Sequence, residues 1–394
     1  MKIPFVDLHA QYLTIKQEID KAIAQVIAES AYIRGPHVDA FEEAWARALG
    51  VKRCVSCANG TDAIYIALRG LGLQPGDEVI SSAHSWISTS ETITQAGGRV
   101  VFCDTDEATF TIDPADIERK ITPATVGIIP VHLYGQPADM GAIMAIARRH
   151  NLWVIEDCAQ AHMAKYNGQV VGTFGKVATF SFYPGKNLGA YGDAGCLVTN
   201  DDQLADSMAT FARHGSKGDH VMEGINSRMD GLQAAILNTK LPHLPAWTGR
   251  RRRVAALYNE LLKDVDDVIT PKVGFDRDHV YHLYVIRTEN RDALRKHLTQ
   301  AGISTVLNYP KALPFYPAYA YLGHGPKDFP AAYANQSRIL SIPIYPEMID
   351  EMIEYVAGQI TTALNYRPET RPSGACQVPN TVGKSTKRAI ATWS

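Results

Sequence analysis

Short apolar runs alternate with amphipathic stretches from about residue 50 to residue 215. The runs at 54–58, 78–82, 100–104, 126–131, 153–156, 178–182 and 196–199 have the length and side-chain content of buried strands. Between them, stretches such as 63–71 and 140–150 place apolar residues at helical spacing. Regular strand and helix alternation predicts an α/β fold: a mostly parallel, seven-stranded sheet flanked by helices on both faces. In such sheets ligands bind beyond the carboxyl ends of the strands, so the residues that follow each strand are where chemistry is sought.

Outside this stretch the pattern changes. Helical periodicity over 15–29 and 38–49 opens the chain, and segment 1–40 is expected to pack on a smaller C-terminal domain. The large domain is expected over 41–243, ending in a helical stretch at 231–241. A smaller α+β domain follows over 244–366, with helices at 250–262, 291–301 and 346–364 and a strand at 282–287. Residues 367–394, rich in Pro, Thr, Ser and Gly without an apolar period, read as a mobile tail.

Charge and composition narrow the partners. The 39 Lys and Arg nearly balance the 41 Asp and Glu, so no net field favours nucleic acid or a membrane surface. No apolar run reaches the length of a bilayer span, and Met1-Lys2-Ile3-Pro4-Phe5 lacks a secretory pattern, which points to a cytoplasmic location. The six cysteines are scattered in apolar runs and read as reduced core residues. Cys54 and Cys57 have the spacing of a metal pair, but no second pair accompanies them, and no metal is expected.

The chemistry-bearing residues each follow a strand. Lys186 lies in Tyr183-Pro184-Gly185-Lys186-Asn187, behind the 178–182 run, where desolvation leaves part of a lysine neutral and nucleophilic. The 153–156 run leads into Glu156-Asp157, and alternation along the strand sends one carboxylate into the site. Asp157 is the candidate to hold a pyridine nitrogen protonated, as pyridoxal phosphate (PLP) chemistry requires. Asn59-Gly60-Thr61, where a strand gives way to a helix, suits a phosphate. Trp86, after the 78–82 run, has a face that can stack on a ring or pack in the core.

Together these residues resemble the DegT/StrS family of PLP-dependent sugar-nucleotide aminotransferases, which share fold type I with aspartate aminotransferase. The resemblance runs from about Pro4 to Leu364 and rests on Ser181-Phe182 through Gly189, Gly192-Asp193-Ala194-Gly195, Glu156-Asp157 with Gln160, and Gly224 through Asp230. It implies that Lys186 forms the Schiff base with PLP and that Asp157 pairs with the ring nitrogen. Gln160 is then set against the ring hydroxyl, Trp86 on the ring, and Gly60, Thr61 and Ser181 around the phosphate. It further implies that Asn226 reaches the neighbouring subunit's cofactor in a homodimer with shared sites, and that Arg34, Tyr183 and Tyr309 contact substrate. The implied reaction moves an amino group from L-glutamate to the C3 or C4 keto group of a nucleotide-linked deoxy sugar, by a ping-pong course.

Two positions depart from the family pattern. Asn308 stands before Tyr309-Pro310 where many relatives have His, and Met163 replaces a small residue. Two other readings compete: a non-catalytic PLP-binding regulatory protein of the same fold, and a transaminase acting only on amino acids and keto acids. Retention of Lys186 opposes the first. The second requires an arginine paired to a substrate carboxylate, and the sequence does not single one out.

Overall fold

The computed structural model describes residues 1–216 and 218–365. The stretch read as a mobile tail lies outside them. Helices α1 (Leu8–Thr14), α2 (Lys16–Glu29) and α3 (Pro36–Leu49) come first. The alternating part follows: β1 (Arg53–Cys57), α4 (Gly60–Gly70), β2 (Glu78–Ser82), α5 (Ser88–Gln95), β3 (Arg99–Cys103), α6 (Pro114–Lys120), β4 (Thr125–Ile129), α7 (Met140–His150), β5 (Trp153–Asp157), β6 (Val177–Ser181), β7 (Gly195–Thr199), α8 (Asp202–Phe211) and α9 (Gly231–Lys240). The C-terminal part contains α10 (Leu244–Leu262), β8 (Tyr284–Arg287), α11 (Arg291–Gln300), α12 (Pro330–Arg338), β9 (Ile339–Ile342) and α13 (Asp350–Asn365).

The seven strands β1 to β7 form one sheet in the order β1-β7-β6-β5-β4-β2-β3. Only β7 runs against its neighbours, so the sheet is mostly parallel, as the strand and helix alternation predicts. Separate apolar clusters cover its two faces, and Cys57 belongs to one while Cys54 and Cys196 belong to the other. Residues three apart on a strand face opposite ways, so the Cys54 and Cys57 spacing makes no pair. No described helix is long and apolar enough to cross a membrane.

The opening helices correct one expectation. Val38, Phe41, Trp45 and Leu49 of α3 share a core with Phe180 and Phe182 of the sheet side, and Ile15 and Ile19 pack with Ile236 of α9 and Trp247. The Phe41 and Phe182 rings meet edge-on with centroids 5.2 Å apart, a favoured aromatic geometry. Helices α2 and α3 therefore lie on the large sheet domain. Within the first forty residues it is Ile3 and Val6, before the helices, that join the C-terminal core, and the Ile3 N–H donates to the Gly302 carbonyl at 2.9 Å.

In the C-terminal part β8 pairs antiparallel with β9, which the apolar pattern does not announce. All four β9 residues are buried, so no alternation distinguishes this short run from helix core.

Glu156 organises the back of the sheet. Its fully buried carboxylate accepts from the N–H groups of Gly172 (2.8 Å), Phe174 (2.7 Å) and Gly175 (2.8 Å). His132 Nε2 lies 3.1 Å away, and His132 Nδ1 accepts the Ala138 N–H at 3.0 Å, so the ring proton sits on Nε2 and donates to Glu156. Glu156→Ala leaves four donors, two of them on fully buried residues, without an acceptor and is expected to cost about 3 kcal/mol or more in urea unfolding. A loss below about 1 kcal/mol would show that the turn at 172–175 holds without it.

Candidate active site

Three backbones converge where β1, β6 and β7 meet. After β1 the chain turns through Asn59, whose side chain accepts the Asp62 N–H at 2.8 Å and caps α4. A Cβ on Gly60 would lie 2.6 Å from Ser181 Cβ, at the end of β6. Gly195, paired with Ser181, is equally constrained, since its Cβ would lie 2.4 Å from the Asn59 carbonyl carbon. This close packing sets the Ser181 hydroxyl beside the amino end of α4, and the free N–H groups of a helix start suit a phosphate.

From this junction a chain of contacts leads to Asp157. Thr61 Oγ1 lies 2.7 Å from Ser88 Oγ, and the next residue, Thr89, donates to Asp157 Oδ2 at 2.8 Å. Asp157 Oδ1 accepts the Ala159 N–H at 3.1 Å. The strand also fixes its backbone, through N–H to the Pro130 carbonyl and C=O to the His132 N–H. As alternation requires, Asp157 turns toward the site and Glu156 away from it. Lys186 lies in the turn after β6, its N–H donating to the Tyr183 carbonyl at 2.8 Å. Burial lowers its ammonium to about 8, and the Asp157 carboxylate opposes that shift without cancelling it. Lowered in this way, the amine loses its proton more readily than an ordinary lysine.

The opposite wall is built from Gln160, Tyr309 and Trp86. Gln160 accepts the Tyr134 N–H at 2.6 Å and donates to the Tyr309 hydroxyl at 2.9 Å. The Tyr309 ring stands 5.6 Å from Trp86, tilted by 41°. Its backbone N–H donates to His84 Nε2 at 3.0 Å, and burial lowers His84 to about 4, which keeps that nitrogen free to accept. Trp86 and Tyr183 are 57% and 59% exposed, so two aromatic faces border the site on its open side.

Gly60, Thr61, Trp86, Asp157, Gln160, Ser181, Lys186 and Tyr309 are thus brought to one end of the sheet, with Tyr183 at its rim. Arg34 and Asn226 stand apart. Arg34 is held by Asp39 and Glu42, each at 3.2 Å. Asn226 is exposed on the segment before α9. That segment is fastened by Ser227, which donates to Asp62 at 2.6 Å and accepts the Ala58 N–H at 3.0 Å. Asn308 turns its side chain away to accept from Ser341 at 2.8 Å, and Met163 packs against the core shared by α3 and the sheet.

Four residues of this network escaped the sequence reading: Ser88, Thr89, His84 and Tyr134. Thr89 and His84 sit in the segment after β2, where the strand-end rule directs attention, but a threonine in a helix and a histidine beside a strand carry no pattern of their own. His132, Glu156 and Cys158 place possible ligand atoms within 4.8 Å of one another. The first two are engaged with each other and with backbone N–H groups, and burial pushes the Cys158 thiol well up, as in a packed core residue.

Residues 13–361 match the DegT/DnrJ/EryC1/StrS aminotransferase family. The chain belongs to this family. A Geobacillus stearothermophilus relative named pleiotropic regulatory protein is 47% identical over 91% of this chain and 98% of its own. A Streptomyces venezuelae relative named dTDP-3-amino-3,4,6-trideoxy-alpha-D-glucose transaminase is 42% identical over 88% of this chain and 92% of its own. The crystal structure of S. venezuelae DesV superposes with a TM-score of 0.90 at 40% identity, covering 92% of this chain and 99% of that one. The family expected from the motifs is therefore confirmed, and with it the aminotransferase fold and activity.

The cofactor of this aminotransferase is PLP, and the donor set fits it: the amino end of α4 packed against Ser181 for the phosphate, and an amine whose proton affinity is lowered by burial, with a carboxylate near it. Gly60→Ala drives a methyl into Ser181 and is expected to weaken PLP binding at least about tenfold in a titration followed by visible absorbance. Unchanged affinity would place the phosphate elsewhere.

Proposed function

We propose that this aminotransferase moves an amino group from L-glutamate to the C3 or C4 keto carbon of a nucleotide-linked deoxy sugar, in the cytoplasm, as a homodimer with shared sites. The observation that carries the reading is Lys186, desolvated to about 8 and facing an Asp157 carboxylate that Thr89 holds in place. The sugar nucleotide as acceptor is supported by the name of the Streptomyces venezuelae relative and by the exposed aromatic faces of Trp86 and Tyr183, which offer flat apolar surface to a sugar or base.

The geometry supports a role for each residue. Bound PLP would supply an aldehyde for amine exchange and a ring that accepts electrons from the substrate carbon. Gly60, Thr61 and Ser181 would hold its phosphate. Asp157, fixed by Thr89 and the Ala159 N–H, would hold a proton on the ring nitrogen. Gln160, locked between Tyr134 and Tyr309, would meet the ring hydroxyl, and Trp86 would offer its face to the ring. Lys186 Nζ takes the proton from the α carbon of the donor and, in the second half, gives one to the sugar carbon. One site serves both substrates in turn, and the kinetics are ping-pong.

The dimer is supported by exposed apolar side chains on the segments that carry Arg34 and Asn226. Tyr32 and Ile33 are 51% and 54% exposed, and Val221 is 73% exposed, a concentration that points to a protein partner. In this arrangement Asn226, which has no place at its own chain's Lys186, serves the partner's cofactor, and Arg34 and Tyr309 meet the sugar substrate.

L-glutamate is expected to convert the visible absorbance of the PLP-loaded enzyme to that of the amine form, and Lys186→Ala to abolish turnover. Asp157→Asn is expected to lower kcat about 100-fold or more. Initial rates against both substrates are expected to give parallel reciprocal plots. Intersecting plots would overturn the ping-pong course, and reduction of keto acids but not nucleotide keto sugars to amines would overturn the acceptor.

A further inference from the structure

Helix α9 carries two buried polar side chains that the mechanism above does not use. Gln233 and Lys240 are seven residues apart, two helical turns, and so share one face. Lys240 is 1% exposed; its Nζ donates to the Gly189 carbonyl at 2.7 Å and lies 4.5 Å from the centre of the Tyr191 ring. Gln233 is 9% exposed and accepts the Tyr191 N–H at 2.8 Å. A Cβ on Gly192 would lie 2.9 Å from Gln233 Nε2. Both side chains thus bear on residues 189–192.

Those residues close the turn that carries Lys186. A Cβ on Gly189 would lie 2.2 Å from the Pro184 carbonyl oxygen and 2.9 Å from that of Tyr183. The Ala190 N–H donates to the Phe182 carbonyl at 2.8 Å, and the buried Asn187 amide donates to the Val280 carbonyl at 3.0 Å. Packed this tightly, Gly189 cannot move without Pro184, and Lys186 is two residues further on.

A buried ammonium is a costly partner for one carbonyl, and burial lowers Lys240 to about 8. Its two contacts are a carbonyl oxygen and an aromatic face, both of which attract a positive charge. An apolar side chain would fill the same space but could make neither.

We propose that Lys240 and Gln233 are positioning residues: they clamp the 183–192 turn from α9 and so keep Lys186 Nζ in place and out of water. The inference rests on Lys186 being the amine that captures PLP.

The test is the pH profile of PLP capture by the cofactor-free full-length chain, followed by visible absorbance. It compares wild type with Lys240→Met, Gln233→Leu, Gln233→Glu and Lys186→Ala, and adds kcat and KM for L-glutamate on the reconstituted enzymes. Wild-type capture is expected to rise with pH about a midpoint set by the depressed Lys186. A loosened turn admits water and restores part of the ordinary lysine value. In Lys240→Met and Gln233→Leu the midpoint is therefore expected to climb by at least about half a pH unit, with kcat down about tenfold and KM within about twofold. Gln233→Glu, whose carboxylate still accepts the Tyr191 N–H, is expected to match wild type.

An unmoved midpoint in both disruptive variants, whether or not they melt earlier, overturns the clamp. If Lys240→Met fails to fold, the Gln233 pair decides alone by the same readings. Capture by Lys186→Ala with the wild-type profile overturns instead the assignment of Lys186, a result visible without either α9 variant.

Discussion

Consecutive residues of an extended strand face opposite ways, and at the end of β5 that constraint is used with two acids in a row. Glu156 goes backward, where three backbone N–H groups and His132 bind it. Asp157 goes forward, toward Thr89 and Lys186. Neither carboxylate tolerates the other's environment. The buried side has donors enough for one full charge, and the front has a lysine whose proton equilibrium depends on a charge being present. With the strand's phase fixed in this way, β6 beside it delivers Ser181 and the Lys186 turn to the same end of the sheet.

From that strand outward the site is assembled by short polar links rather than by a single pocket wall. Thr61 to Ser88, Thr89 to Asp157, and Gln160 to Tyr309 each join elements far apart in sequence. Each uses a neutral hydroxyl or amide, which fixes geometry without adding a net charge to a site that must let a lysine gain and lose a proton. His84 follows the same rule, since burial keeps it neutral while it accepts the Tyr309 N–H.

What the sequence made legible was whatever has a period or a position after a strand. The sheet could be read because its strands are short apolar runs bounded by polar turns, and Lys186, Asp157 and Gly60 because each follows one. The apolar period of α4 starts only at residue 63, but Asn59-Gly60-Thr61 marks where the strand gives way to the helix, and α4 begins at Gly60 with Asn59 as its cap. The packing of α2 and α3 was misjudged for a different reason. An apolar helical face states that it will be buried but not against what, and the choice depends on the shape of Phe180, Phe182 and α9 in three dimensions. Lys240 was invisible for a related reason: in sequence it is one more lysine at a helix end, and its meaning comes from Gly189, fifty-one positions away.

The junction of Gly60, Ser181 and Gly195 also bears on how the chain comes to hold its cofactor. It is made of residues at the ends of β1, β6 and β7, and β7 pairs with both β1 and β6. A chain whose sheet lacks that last antiparallel strand has the helix start but not its opposing wall. Ligand stabilisation acts only on states that bind, so PLP protects the finished sheet and gives nothing to its precursors.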